Sequence, residues 1–63
     1  MHDLTRVLLI DDSEAQYYLI EGFLAQSKIN RFQLDWGASY SEALQLIELN
    51  HYDICLLDYE LGE

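Results

Sequence analysis

Three aspartates stand where apolar runs of this sequence end. Asp11 and Asp12 follow the run Val7–Ile10, and Asp58 follows the run Ile54–Leu57. A carboxylate at the end of a buried strand is costly unless something there needs negative charge. Oxygen ligands without nearby His or Cys suit a hard divalent cation, Mg²⁺ first or Mn²⁺ in its place. The three positions therefore predict a cation site, provided that the fold brings them together.

Three strands are predicted to position these acids. Thr5–Ile10 carries four consecutive apolar residues, which is typical of a strand buried on both faces of a parallel sheet. Asp53–Leu57 has the same character. Phe32–Trp36 alternates apolar and polar residues instead, which indicates an edge strand with one buried face.

Two helices are predicted between the strands. Ser13 and Gln16 form one capping box, and the helix that they begin runs to about Ser27. Ser39 and Glu42 form a second box before a helix over Tyr40–Asn50. The apolar stripes predict the inner faces of the two helices: Gln16, Leu19, Ile20, Phe23 and Leu24 in the first, and Tyr40, Ala43, Leu44 and Ile47 in the second.

The alternation of strands and helices predicts an α/β fold with right-handed crossovers and a parallel sheet. The doubly apolar first strand belongs in the middle, so the order is 2-1-3 with one helix on each face. Neighbouring strands lie ~4.8 Å apart, so Asp11, Asp12 and Asp58 are expected to converge at one edge. Each acid alone is better explained by turn chemistry or a strand end than by a site. The three together favour a site.

Composition narrows the classes of partner. Twelve acidic residues against three Lys and Arg give a net charge of −9, which argues against nucleic acid or an anionic membrane as a direct partner. The single cysteine, Cys55, rules out a disulfide within the chain and is interpreted as a small buried hydrophobe. The apolar runs are too short to span a membrane, and a cytoplasmic location is expected by default.

The segments VLLIDDSEAQYYLIEGFL and YDICLLDYELGE closely resemble the N-terminal half of response-regulator receiver domains, the phosphoacceptor modules of two-component signalling. The resemblance implies half of a flavodoxin-like fold, with residues 1–63 as the N-terminal portion of one receiver domain that stops after its third strand. It implies that Asp58 accepts a phosphoryl group from a sensor histidine kinase or a phosphotransfer domain. It also implies that Asp12 binds Mg²⁺ directly, that Asp11 helps through water, and that Glu60 supplies a backbone carbonyl.

The receiver pattern is incomplete in this sequence. The hydroxyl residue and the lysine that receivers carry after later strands are absent, and Lys28 is expected at the opposite edge of the sheet. The chain is therefore expected not to be competent alone. As a phosphoryl acceptor, it is expected not to be an enzyme in the usual sense. Its third strand is expected to pair with the missing half of the receiver or with a second copy.

Two alternatives stay open. A haloacid-dehalogenase-like Mg²⁺ phosphatase also uses an Asp nucleophile at a strand end, but it would want a second Asp where Glu60 stands and gives Asp11 and Asp12 no role. A module that is not phosphorylated and only dimerises is the other alternative, and failure to bind Mg²⁺ or to accept phosphate would favour it. Of the aromatic residues, Tyr17 and Tyr18 are expected on or beside the outer face of the first helix, and Trp36 is expected to pack at the end of its strand.

Overall fold

A computed structural model describes residues 4–28 and 31–57 of the chain. The elements are β1 (Leu4–Ile10), α1 (Glu14–Ala25), β2 (Arg31–Gly37), α2 (Tyr40–Leu49) and β3 (Ile54–Leu57). They form an α/β fold whose three strands are all parallel, in the order β2-β1-β3. The predicted sheet order is confirmed, and the ends of the elements lie within two residues of the predicted ones.

The core is built on β1, as the doubly apolar pattern predicts. Val7, Leu8, Leu9 and Ile10 are all buried. Successive side chains of a strand point to opposite faces, and Leu8 and Ile10 form one cluster with Ala43 of α2. The helices therefore lie on opposite faces, because Trp36 stands opposite Leu9 in the sheet and stacks on Tyr17 of α1.

The inner faces of the helices are only partly as predicted. In α1, Leu19 and Phe23 are 60% and 73% exposed, whereas Tyr17, Ile20 and Leu24 are half-buried. In α2, Ala43 and Leu46 face the core, and the other predicted stripe residues are exposed: Tyr40, Leu44 and Ile47. Each apolar stripe covers more of its helix than the sheet contacts, because α1 packs mainly on β2 and α2 packs on β2 and β1.

The β3 strand lies at the edge of the sheet. It pairs with β1 through Val7–Ile10, and all four of its residues are exposed. Cys55 is therefore exposed, and its interpretation as a buried hydrophobe is wrong. The reason is that, within residues 4–28 and 31–57, no strand pairs with the outer side of β3 and no helix shares more than slight contact with it.

Neither described helix could cross a membrane, since both are short and neither is apolar along its length.

Candidate acidic site at the carboxyl edge of the sheet

Asp11 is fixed where β1 leaves the sheet. Its backbone N–H donates to the carbonyl oxygen of Gly37 at 3.2 Å, which carries the pairing of β1 with β2 one residue past the strand. Its carboxylate Oδ1 accepts from the backbone N–H of Ser13 at 2.9 Å, the local turn bond that Asp side chains favour. The residue is only 6% exposed. A buried, oriented carboxylate therefore stands at the end of the central strand.

Asp12 and Ser13 carry the chain from this strand into α1. Ser13 has an extended backbone, and its Oγ accepts from the N–H of Gln16 at 3.3 Å, so the predicted N-cap is confirmed. Asp12 lies between the buried Asp11 and the cap and is exposed. The first N–H groups of a helix favour negative charge nearby, which helps to accommodate two adjacent acids at this point.

Trp36 contributes a contact that the sequence analysis missed. The residue packs at the end of β2 as predicted, and its indole Nε1–H also donates to the backbone carbonyl oxygen of Asp11 at 2.6 Å. Tyr17 stacks on the indole with ring centroids 5.3 Å apart and planes at 21°. The placement of Tyr17 on the outer face is therefore wrong, whereas Tyr18, which is exposed, lies outward as expected. The sequence did offer one signal for this contact: the single tryptophan lies near the end of β2, at the same edge of the sheet as Asp11 and Asp12.

The other predicted ligands follow β3. Ile10 stands opposite Leu57 in the sheet, so β1 and β3 end level with each other, and Asp58 is the next residue in the sequence. Asp58 and Glu60 lie outside the described residues, and their convergence with Asp11 and Asp12 stays a prediction. Among residues 4–28 and 31–57, no three His, Cys, Asp or Glu residues are grouped closely enough to hold a metal ion.

The two acids that the structure describes fit a hard cation in their chemistry. Both offer carboxylate oxygens, the ligands that Mg²⁺ prefers, and Asp11 is buried although its only recorded side-chain bond within the described chain is to Ser13. A buried carboxylate at a strand end is the feature that a cation would offset.

The chain is similar to parts of known signalling proteins. It is 33% identical over 55 residues to the autoinducer 1 sensor kinase/phosphatase LuxN of Vibrio campbellii and to that of Vibrio harveyi, which covers 87% of this chain and 6% of LuxN. It is 29% identical over 56 residues to the autoinducer 2 sensor kinase/phosphatase LuxQ of Vibrio parahaemolyticus, which covers 89% of this chain and 6% of LuxQ. No family model matches the chain, and no solved structure does.

These similarities associate the chain with the sensor kinases of two-component signalling, and they are compatible with a receiver-like region. The chain spans only about 6% of the length of these relatives. The similarity therefore concerns only a small part of each of these proteins.

A second polar cluster lies on the α2 face of the sheet, away from the acids. The Arg6 guanidinium donates to Asn50 Oδ1 at 3.2 Å and lies 3.8 Å from Asp35 Oδ2, and Tyr52 donates its hydroxyl to the same Asp35 oxygen at 2.5 Å. Burial, and next the hydrogen bond to Asp35, raise the pKa of Tyr52 to about 12. Asp53 makes two hydrogen bonds to the backbone of Arg6, each 2.9 Å long. Its Oδ2 accepts from the Arg6 N–H, and its own backbone N–H donates to the Arg6 carbonyl oxygen. This cluster fixes the start of β3 against β1.

Proposed function

We propose that this chain is a phosphoacceptor receiver module of a two-component phosphorelay, in which Asp58 takes a phosphoryl group with the help of Mg²⁺. The observation that carries the proposal is the buried Asp11 carboxylate at the end of β1, beside a parallel β3 that ends one residue before Asp58. The similarity to LuxN and LuxQ sensor kinases supports the signalling context.

The proposed reaction needs little covalent chemistry from the protein. A carboxylate oxygen of Asp58 attacks the phosphorus of a phosphohistidine, the P–N bond breaks, and an acyl phosphate forms on Asp58 while the imidazole leaves. Asp11, Asp12, Asp58 and the carbonyl of Glu60 would hold the cation. When bound, Mg²⁺ neutralises the charge of the phosphoryl oxygens.

The proposal includes the partners of the module. The donor is a sensor histidine kinase or a phosphotransfer domain, and a cytoplasmic location follows from that donor. The exposed outer edge of β3 pairs with a further receiver strand or with a second copy, because apolar strand edges are rarely left open. The chain acts as a substrate of its kinase and not as an enzyme of its own.

Titration with Mg²⁺ tests the proposed acidic site. The backbone amides of Asp12, Ser13 and Asp58 are followed by NMR while Mg²⁺ is added to the full chain and to the variant Asp12→Ala. We expect weak, saturable shifts in the wild type, because Mg²⁺ keeps most of its water when few protein carboxylates bind it. The shifts should be largely lost in Asp12→Ala.

The control is Glu48→Ala, which removes an equal charge from the exposed side of α2. It should titrate like the wild type, which separates a site from general attraction of the cation to an acidic chain. Equal responses in the wild type and Asp12→Ala would reject the proposed cation site and, with it, this function.

A further inference from the structure

The hydrogen bond from Trp36 acts on the peptide group between the two acids. Its indole N–H meets the carbonyl oxygen of Asp11 at 2.6 Å, and that carbonyl belongs to the peptide bond that leads into Asp12. Because a peptide group is planar, fixing this oxygen also fixes the direction in which the chain enters Asp12. The bond therefore constrains the backbone from which the exposed Asp12 carboxylate projects.

The indole is itself held from two sides. The Trp36 backbone belongs to β2, whose next residue, Gly37, accepts from the Asp11 N–H at 3.2 Å. The ring lies against Tyr17, whose ring is nearly parallel to it at a centroid distance of 5.3 Å. Trp36 thus connects β2 and α1 to the backbone of the acidic pair, and apolar packing alone would not require its N–H to face this oxygen.

We propose that Trp36 is a positioning residue for the divalent cation, setting the orientation of Asp12 through the carbonyl of Asp11. This inference rests on the proposed function, since it assumes that Asp11 and Asp12 bind the cation. Residues that orient metal ligands typically change metal affinity by roughly 10–100-fold when they are removed. Because Trp36 makes one neutral hydrogen bond and acts on one of the ligands, we expect an effect of roughly tenfold.

The test removes the N–H and keeps the ring. The chain has 63 residues and one tryptophan, so it can be prepared by chemical synthesis with a benzothiophene side chain at position 36, in which sulfur replaces the indole N–H. A second synthetic chain carries 7-azatryptophan, which retains the N–H. Mg²⁺ affinity is measured from the amide shift of Asp12, and thermal unfolding is measured without Mg²⁺.

We expect the benzothiophene chain to bind Mg²⁺ roughly tenfold more weakly than the wild type, and the 7-azatryptophan chain to bind like the wild type. The variant Trp36→Phe, which lacks the donor and some of the ring, should lose affinity to at least the same extent. Equal Mg²⁺ affinity in the wild-type and benzothiophene chains, even with lowered thermal stability, would show that Trp36 only packs, and would leave the proposed function standing.

The failure of the proposed function gives a different result. In that case the wild type and Asp12→Ala would respond to Mg²⁺ alike, and neither synthetic chain would differ from them. The inference would then fall together with the cation site on which it rests.

Discussion

At the scale of single residues, Gly37 determines how closely α2 approaches the sheet. It is the last residue of β2 and is buried, and a Cβ at this position would lie 3.0 Å from both Cα and Cβ of Ala43. We expect Gly37→Ala to lower the free energy of unfolding by about 1–3 kcal/mol, the usual cost of overpacking a close contact. Urea unfolding followed by circular dichroism measures the change.

Gly22 provides the matched control for this substitution. It lies in the middle of α1, where an added Cβ would meet nothing within 4 Å. Because alanine is the better helix former, Gly22→Ala should raise the free energy of unfolding by about 0.5–1 kcal/mol. If both variants changed stability in the same direction, the close approach at Gly37 would not be what makes that position special.

Asp11, Asp12 and Trp36 differ in how much of their placement could be predicted from the sequence. Asp11 and Asp12 could be placed at a strand end because the apolar run before them is unmistakable, and the structure puts them there. The sequence could place Trp36 near the acids but could not predict its hydrogen bond, because that bond joins a side chain to a backbone oxygen 25 residues away. Such a contact depends on the relative placement of β2 and α1, which periodicity does not specify.

At the scale of elements, the segment that leads into β3 is held by Tyr52, whose protonated hydroxyl donates to Asp35. Burial and the bond to Asp35 raise the pKa of Tyr52 from 10.0 to about 12. The unfolded chain therefore loses this proton near pH 10 while the folded chain retains it, so this contribution to stability is complete below pH 10 and declines as the pH rises toward 12.

The variant Tyr52→Phe isolates this contribution. It should be less stable than the wild type at neutral pH, since it leaves Asp35 without the hydroxyl donor. The stability difference between the two proteins should then narrow as the pH is raised from about 9 to about 12. Urea unfolding at several pH values measures it, and a difference that stays constant over this range would contradict the role given to Tyr52.

The strands were easier to predict than the faces of the helices. The contrast between the doubly apolar Thr5–Ile10 and the alternating Phe32–Trp36 was sufficient for the order β2-β1-β3. The apolar stripe of α1 correctly predicts that Ile20 and Leu24 face inward, but it is wrong for Leu19 and Phe23, which are exposed. The apolar stripe of a helix can be found from the sequence alone. How much of that stripe is buried depends on the width of the sheet on which the helix packs.

At the scale of the whole molecule, apolar surface is exposed on β3 and on both helices. Leu19 and Phe23 of α1, Leu44 and Ile47 of α2, and Ile54, Leu56 and Leu57 of β3 are all more than a third exposed. Large exposed apolar side chains in this number are uncommon on soluble monomers, and an open strand edge is a template for pairing. We therefore expect the chain to self-associate when no other strand is supplied.

The variant Ile54→Lys places a charge on the edge strand, and Leu49→Lys places the same charge on a leucine of α2 that is 81% exposed. In sedimentation velocity, the wild type and Leu49→Lys should form dimers or larger species, and Ile54→Lys should shift toward the monomer. A wild type that sediments as a stable, cooperatively folding monomer would show that the open edge of β3 does not drive association.

The central claim is that Asp58 accepts a phosphoryl group with Mg²⁺, and intact mass spectrometry after incubation with acetyl phosphate tests it most directly. We predict that a small fraction of the chain gains one phosphoryl group, only when Mg²⁺ is present and not in Asp58→Asn. The control Glu48→Gln, at an exposed position of α2, should react like the wild type. We expect the fraction to be small because residues 1–63, the part tested, do not include the later lysine and hydroxyl residue that the receiver resemblance implies. Phosphorylation to the same extent in Asp58→Asn, or without Mg²⁺, would contradict the claim.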